Sequence, residues 1–229
     1  MSQLAEEVAA RAAFARERIA RAGADPDQVR IVAVTKGFGP EEVAAGYEAG
    51  LRDFGENYAD ELVAKWPTLG HSARWHFLGA IQRNKVGRLA SYVDCWQAVS
   101  RVLEGEAIRR HIPAAGDGAA LEQVSLLVEV ETTGAPGRGG CVPEEVPGVV
   151  AGLVELGWRV DGLMTVAPMG DSVMARAAFD RVAALREDLG LRELSMGMSE
   201  DLEQAVAAGA TMVRLGTALF GPRPNRRRL

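Results

Sequence analysis

The chain has 229 residues, of which 48% are hydrophobic and 25% charged, and its formal net charge is −5. This is the composition of a globular protein with a large core, and the acidic balance argues against binding to nucleic acid or to a membrane surface. It has two cysteines, no apolar signal-peptide core and no run of roughly 20 apolar residues, so we expect a cytoplasmic protein.

The chain opens with a predicted helix over Ser2–Ala22, where apolar residues recur at helical spacing with charges between them. After Gly23, short β-branched runs alternate with amphipathic segments. The predicted strands are Arg30–Thr35, Arg52–Phe54, Trp75–Leu78, Val93–Val99, Val124–Val130, Val160–Met164, Glu193–Ser195 and Thr211–Leu215. The predicted helices between them are Pro40–Ala49, Glu56–Lys65, one from about Gln82, one through Leu103 and Ile108, Pro143–Leu156, Ser172–Leu189 and Glu200–Ala208.

Eight strand–helix units predict a parallel sheet that closes on itself. We therefore expect an α/β fold, a (β/α)8 TIM barrel, in a single domain over residues 1–229, with the N-terminal helix at about 2–22 and the barrel at about 30–221. The alternative is an open, doubly wound sheet, which would need a glycine-rich phosphate loop after its first strand. The chain has Lys36-Gly37-Phe38-Gly39 at that point, which does not fit the motif.

Lys36 follows the first predicted strand directly, at the end of the barrel where function is expected. A lysine at the end of a buried strand either extends its ammonium to solvent or has a chemical role. If the role is chemical, imine formation is the natural choice, because a partly desolvated ammonium loses its proton more easily and the free amine attacks an aldehyde or ketone.

The last two strands carry a predicted phosphate site. Ser199, before Glu200-Asp201, has the pattern of a helix N-cap, and Gly197 would let the backbone approach a ligand closely. A plain helix cap explains Ser199 equally well. Arg214, Gly216 and Thr217 add a cation, a glycine and a hydroxyl at the exit of the eighth strand. Since strand eight of a closed barrel pairs with strand one, the phosphate site would lie beside Lys36, which indicates a small phosphorylated aldehyde.

Several segments together resemble the pyridoxal phosphate homeostasis proteins, the YggS/PROSC family, in order and over nearly the whole chain. They are IVAVTK (Ile31–Lys36), DFGENY (Asp53–Tyr58), WHFLGAIQRNK (Trp75–Lys85), GLM (Gly162–Met164) and the long segment Leu194–Gly221. The resemblance implies a fold-type III barrel, similar to the N-terminal domain of alanine racemase, that binds pyridoxal 5′-phosphate (PLP).

The resemblance also assigns roles. It makes Lys36 the imine lysine, places Ser199, Gly216 and Thr217 at the phosphate, and makes Arg214 the arginine that faces the pyridine nitrogen. An arginine at this position donates a hydrogen bond to the pyridine nitrogen, so that nitrogen stays unprotonated. The cofactor is then a poorer electron sink than one whose ring nitrogen faces a carboxylate. Asn57 and His76 lie in family motifs near the site, although His76 is equally well explained as a core histidine. The predicted cofactor contacts are Lys36, Asn57, His76, Gly197, Ser199, Arg214, Gly216 and Thr217.

Two positions depart from the family pattern. Gly37 stands where many relatives have Thr or Ser, and Arg138 stands where relatives place a lysine nearby. Arginine cannot form an imine, so a second PLP-reactive site in the loop around Arg138 is in doubt.

Three functions are compatible with a lysine at the end of a barrel strand. The favoured one is a non-catalytic, monomeric carrier that buffers PLP and supplies it to PLP-dependent apo-enzymes. An amino-acid racemase of the same fold is the alternative, but it needs an acid/base residue from a further domain, and none of Tyr47, Tyr58 and Tyr92 is predicted at a strand exit. A class I aldolase usually has its lysine on a later strand with a carboxylate nearby. Glu129 and Glu131 are the only candidates for that carboxylate, and both are expected on a solvated rim.

Overall fold

The computed structural model describes residues 1–112, 123–135 and 137–223. Its centre is a closed barrel in which eight parallel strands pair in chain order and the last strand returns to the first. Val32 lies opposite Arg214 in the closing pair, and Ala33 lies opposite Leu215. The predicted TIM barrel is confirmed. The strands are β1 (Arg30–Val34), β2 (Asp53–Glu56), β3 (Arg74–Phe77), β4 (Cys95–Val99), β5 (Ser125–Val130), β6 (Val160–Thr165), β7 (Glu193–Ser195) and β8 (Met212–Leu215).

Helices surround the strands and bury their apolar faces against them. None of the described helices combines the length and the apolar character that crossing a bilayer requires. The α-helices are α1 (Gln3–Arg21), α2 (Pro40–Glu48), α3 (Ala59–Lys65), α4 (Val86–Leu89), α5 (Val102–Arg109), α6 (Val146–Glu155), α7 (Ser172–Asp188), α8 (Leu202–Ala207) and α9 (Thr217–Phe220), with single 3₁₀ turns at Trp66–Thr68, Gly70–Ser72 and Arg83–Lys85.

The N-terminal helix α1 packs across the closing seam of the barrel, against α2, α8 and α9. Its apolar stripe, which includes Val8 and Ile19, is fully buried. The guanidinium of Arg18 donates to both carboxylate oxygens of Glu203 in α8, each at 2.6 Å. This bidentate pair holds α1 over the region where β8 meets β1.

Three predicted helix starts are wrong. Glu56 ends β2, and α3 begins only at Ala59. The backbone carbonyl of Glu56 accepts a hydrogen bond from the amide of Leu78 at 2.7 Å, and its buried side chain pairs with Lys65. These contacts hold Glu56 in the extended conformation of a strand.

Ser199 is not a helix N-cap, because α8 begins at Leu202 and Asp201 occupies the cap position. The Asp201 carboxylate accepts a hydrogen bond from the amide of Met198 at 2.5 Å. That contact ties residues 198–201 into a turn before the helix starts. The helix predicted from Pro143 also begins later than expected, at Val146.

The barrel interior below the cavity is partly polar. The ring of His76 lies 2.9 Å from Asp53 through Nε2 and 2.7 Å from Gln97 through Nδ1. Ser195 Oγ donates to the Gln97 side-chain oxygen at 2.6 Å and accepts from Arg214 at 2.9 Å. A chain of hydrogen bonds therefore crosses the barrel from β2 to β8 and satisfies these buried polar groups.

Candidate functional site

The C-terminal ends of the strands surround a cavity of about 400 Å³. This volume is typical of a site for a small molecule. Its position follows from the fold, because parallel strands in a barrel all end at the same face. Six of the predicted site residues line it: Lys36, Asn57, Ser199, Arg214, Gly216 and Thr217.

Lys36 reaches the cavity from the segment that follows β1. Burial lowers the pKa of its ammonium below the ordinary value, and the positive charges of Arg223 and Arg214 lower it further, while Glu56 has the opposite effect. A lysine in this setting has a larger neutral fraction near pH 7 than one in water. Its amine is therefore prepared to attack a carbonyl carbon.

Two backbone carbonyl groups at the inner end of the cavity hold the Arg214 guanidinium in place. Its Nη1 donates to the carbonyl of Ser195 at 2.6 Å, and its Nη2 donates to the carbonyl of Thr165 at 2.8 Å. Burial lowers its pKa to about 10, so the guanidinium still carries its charge at neutral pH. As the alternation along β8 predicts, Arg214 faces the cavity and Leu215 faces the outer core. The result is a cation of fixed orientation.

The closing seam places the two predicted halves of the site side by side. At Gly216, an added Cβ would lie 3.1 Å from the carbonyl oxygen of Val34, so the backbone after β8 passes close to the end of β1. Ser199 and Thr217 bring hydroxyl groups to the same wall. The lysine of strand one and the hydroxyls after strands seven and eight therefore share one cavity, as the sequence predicts.

Gly197 and His76 do not line the cavity. Gly197 has a φ of 91°, and an added Cβ would lie 2.5 Å from the Cβ of Ala205, so close packing against α8 explains this glycine. His76 is fully buried in the hydrogen-bond chain of the barrel interior. The interpretation of His76 as a core histidine is thus the one that agrees with its position.

Asn57 lies at the edge of the cavity after β2. Its side-chain oxygen is buried and has no hydrogen-bond partner in the part of the chain that the structure describes. A buried acceptor without a partner carries an energetic cost that a ligand or water can remove. Asn57 therefore lies at the site, but its side-chain oxygen is covered in the structure and would have to be uncovered before a bound molecule could contact it.

Three charged residues of the cavity wall lie outside the set that the sequence predicts. Glu129 was expected on a solvated rim, but its side chain lines the cavity. Alternation along β5 could have shown this, because Glu129 shares a face with Leu127, which lies in the inner core. Arg138 and Arg223 also reach the cavity. No sequence signal separates Arg223 from an ordinary surface arginine.

The lining fits a small aromatic anion that carries an aldehyde. Lys36, Arg138, Arg214 and Arg223 supply four cations, and Glu129 is the one carboxyl group among the described lining residues. This excess of positive charge suits a phosphate group. Apolar side chains offer contacts to a flat ring; they are Val34, Leu78, Met164 and Val166. The site can therefore hold an anion, position a ring and form an imine.

Comparisons with known proteins point to the same chemistry. Residues 9–224 match the family model described as alanine racemase, N-terminal domain. The pyridoxal phosphate homeostasis protein of Pseudomonas aeruginosa is 39% identical over 228 residues, which cover 97% of this chain and 97% of that protein. The solved structure of PipY from Synechococcus elongatus with PLP bound is 30% identical, with a TM-score of 0.72, and the match covers 90% of this chain and 100% of that one.

Alanine racemase from Corynebacterium glutamicum is more distant. It is 17% identical with a TM-score of 0.69, and the match covers 98% of this chain but 63% of the racemase, which shows a common fold alone. The Pseudomonas aeruginosa homeostasis protein and PipY, by contrast, match over 97% and 100% of their own length. The chain therefore belongs to the pyridoxal phosphate homeostasis protein family, whose barrel is that of the alanine racemase N-terminal domain.

Proposed function

We propose that the protein binds PLP as an imine on Lys36, and that it buffers this reactive aldehyde and supplies it to other proteins. The observation that carries the proposal is the presence of Lys36 and three arginines in one cavity with Ser199 and Thr217. The low pKa of Lys36 favours the neutral amine that imine formation requires. The PLP bound in the structure of PipY supports the identity of the ligand.

Each of the six predicted residues that line the cavity has a proposed task toward PLP. Ser199, Gly216 and Thr217 hold the phosphate, through hydroxyl groups and close backbone approach. Arg214 donates to the pyridine nitrogen, and Asn57 contacts the ring substituents. When bound, PLP supplies an aldehyde and an electron-withdrawing ring. Because Arg214 keeps its proton, the ring nitrogen stays unprotonated, which weakens the ring as an electron sink.

A carrier fits these features better than a racemase. A racemase needs a second acid/base residue on the other face of the ring, and the three tyrosines do not line the cavity. Two relatives that match at least 90% of this chain, from Pseudomonas aeruginosa and Deinococcus radiodurans, are named for PLP homeostasis. We propose further that the protein is a cytoplasmic monomer of one domain and that its partners are PLP-dependent apo-enzymes.

The test is reconstitution with PLP. Purified protein mixed with PLP should turn yellow, and borohydride should fix the label on one lysine, which mass spectrometry of the peptides identifies as Lys36. The Lys36→Ala variant should show no yellow species and no reduced adduct. Pyridoxal, which lacks the phosphate, serves as the matched ligand and should bind at least about tenfold more weakly, because charge-assisted hydrogen bonds to an anion are lost.

Two results would contradict the proposal. One is wild-type protein that takes up no PLP, and the other is an adduct on a different lysine. The carrier assignment has its own measurement, in which the loaded protein is incubated with L-alanine and with D-alanine and the chirality is followed. Sustained interconversion would show a racemase.

A further inference from the structure

Glu129 has a position that the proposed binding site does not explain. It lies near the end of β5 and extends its carboxyl group into the same cavity as Lys36. The other charged groups described in the cavity wall are cations, and the arginines among them stay protonated. Glu129 is therefore the one acid in the described wall that can both give and accept a proton.

The glycine-rich loop after β5 folds back over this carboxyl group. The amide of Cys141 donates to the carbonyl of Glu129, and the amide of Glu131 donates to the carbonyl of Cys141, both at 2.9 Å. A Cβ added at Gly139 would lie 3.0 Å from Oε2 of Glu129. The loop therefore packs against Glu129 and excludes water from one side of the carboxyl group.

Burial, modified by the surrounding charges, brings the pKa of Glu129 close to neutral pH. Burial raises its pKa to about 7. Glu104 in α5 acts in the same direction, while Arg214 in β8 and Arg138 in the loop oppose it. A group with a pKa near the working pH is the best compromise between holding a proton and releasing it.

We propose that Glu129 is the proton-transfer residue for the loading of an aldehyde onto Lys36 and for its release. The inference rests on the proposed function, since it assumes that Lys36 forms an imine.

The chemistry of imine formation requires such a residue. The amine nitrogen adds to the carbonyl carbon, and the carbonyl oxygen becomes a hydroxyl group. That hydroxyl leaves as water only after it gains a proton, which the protonated carboxyl of Glu129 supplies as the C–O bond breaks and the nitrogen lone pair completes the C=N bond. The products are a protonated imine, one water and the Glu129 carboxylate. Release runs the same steps in reverse, with the carboxylate recovering its proton from the attacking water.

Stopped-flow absorbance with PLP tests the assignment in Glu129→Gln. General acid–base catalysis typically contributes at least about 10²-fold. We expect both the loading rate and the release rate to fall about 10²-fold while Kd changes less than about twofold, because a catalyst of an equilibrium speeds both directions equally. Glu131→Gln is the matched control: Glu131 is two residues away, does not line the cavity and accepts from the amides of Thr133 and Gly134. Its rates should match wild type.

Wild-type rates in Glu129→Gln would overturn the inference, and so would a change in Kd as large as the change in rate, which would mark a binding role. Glu129→Ala gives a second test, because formate can enter the space left by the side chain and should restore the rates as its concentration rises. Slow rates without rescue would also overturn it.

Titration of the Glu129 carboxyl group in the protein without PLP gives a third test. In the unloaded protein with ¹³C-labelled glutamate carboxyls, the signal that is missing in Glu129→Gln should titrate with a midpoint near pH 7, and a midpoint below about 5 would count against the inference. Failure of the proposed function has a different signature, because wild-type protein would then form no adduct on Lys36 at all.

Discussion

Lys36 belongs to the short segment Thr35–Gly37 and Lys65 packs against that segment, yet the surroundings of the two lysines differ in charge. Lys65 is 2% exposed, and its ammonium donates to Glu56 and Glu61 at 2.6 Å and to the Thr35 carbonyl at 2.7 Å. Lys36 is half-buried and faces Arg214 and Arg223. The more deeply buried lysine is paired with two carboxyl groups, whereas burial and neighbouring cations prepare the more accessible one to lose its proton. The sign of the neighbouring charge, rather than burial alone, separates a structural lysine from a reactive one.

The pair also shows how one lysine positions the other. Glu61 accepts from Lys65 and from the backbone amide of Gly37, at 2.6 and 2.8 Å. Glu56 accepts from Lys65 and from the hydroxyl of Thr35, both at 2.6 Å. The ion cluster therefore holds the residues immediately before and after Lys36, and this fixes the direction in which Lys36 leaves the barrel wall.

The largest predicted effect on stability comes from substitution of the structural lysine, Lys65. Lys65→Met leaves Glu56 and Glu61 close together without their cation, and removal of one partner from a buried ion pair typically costs about 3–5 kcal/mol. Urea unfolding of the unloaded protein should show this loss at pH 7. Lys36→Met is the matched control and should change the free energy of unfolding by less than about 1 kcal/mol, because a partly exposed ammonium among cations contributes no net stability.

The loss in Lys65→Met should depend on pH. Burial raises the pKa of Glu56 in the folded state, so the folded protein binds that proton more tightly than the unfolded chain does. Stability of the variant should therefore rise as the pH falls from 7 toward 5. If Lys65→Met and Lys36→Met destabilise the fold equally, the contrast between the two lysines is wrong.

A middle-sized effect is expected at the residue that follows Lys36. Gly37 has a φ of 77°, and an added Cβ would lie 3.0 Å from Cδ of Arg223. Gly37→Ala should destabilise the protein by about 1–2 kcal/mol, the usual cost of a left-handed conformation for a residue with a Cβ. Thermal unfolding measures it, with Gly148→Ala as the control.

Gly148 lies in α6 with open space around it and no positive φ, so alanine there should stabilise the helix by about 0.5–1 kcal/mol. Equal responses at the two glycines would argue that the path after Lys36 is not constrained. The positive φ gives a structural reason for glycine at position 37 in this chain.

The smallest predicted effect concerns the charge beside Lys36. Arg223→Gln removes one of the two cations that lower the pKa of Lys36, so that pKa should rise and the neutral amine should become scarcer at pH 7. Acetic anhydride labelling across a pH series, read by mass spectrometry, should show the Lys36 midpoint at higher pH than in wild type. Arg88→Gln removes an equal charge from a surface ion pair with Asp60 and should leave the midpoint unchanged. A midpoint that moves to lower pH in Arg223→Gln would contradict the electrostatic account.

Much of the fold follows from the sequence because its signals are local. Runs such as Val124–Val130 are apolar over the length of a strand, and a parallel strand buried on both faces requires this pattern. The errors occur where a distant contact decides the structure. Glu56 has good helix propensity, but its contacts with Leu78 and Lys65 keep it in β2. Ser199 has the composition of a cap, but the bond between Asp201 and Met198 delays the helix.

The site residues likewise divide into those that local sequence signals predict and those that depend on distant contacts. Lys36, Arg214 and Thr217 follow directly from barrel geometry, because they stand where strands end. His76 lies two residues before Leu78, which lines the cavity, and is therefore one layer too deep in the barrel to reach it, a difference that sequence spacing does not resolve. Arg223 enters the site only because the chain after α9 returns to pack on Gly37, and no periodic pattern encodes such a contact.

The pairing of β8 with β1 has a consequence for synthesis of the protein. Lys36 leaves the ribosome seven strands before Gly216 and Thr217. A chain that still lacks β8 therefore has the amine without the proposed contacts to the phosphate, and we expect it to retain PLP weakly. Because PLP would bind only the closed barrel strongly, its binding should stabilise the pairing of β8 with β1 by mass action.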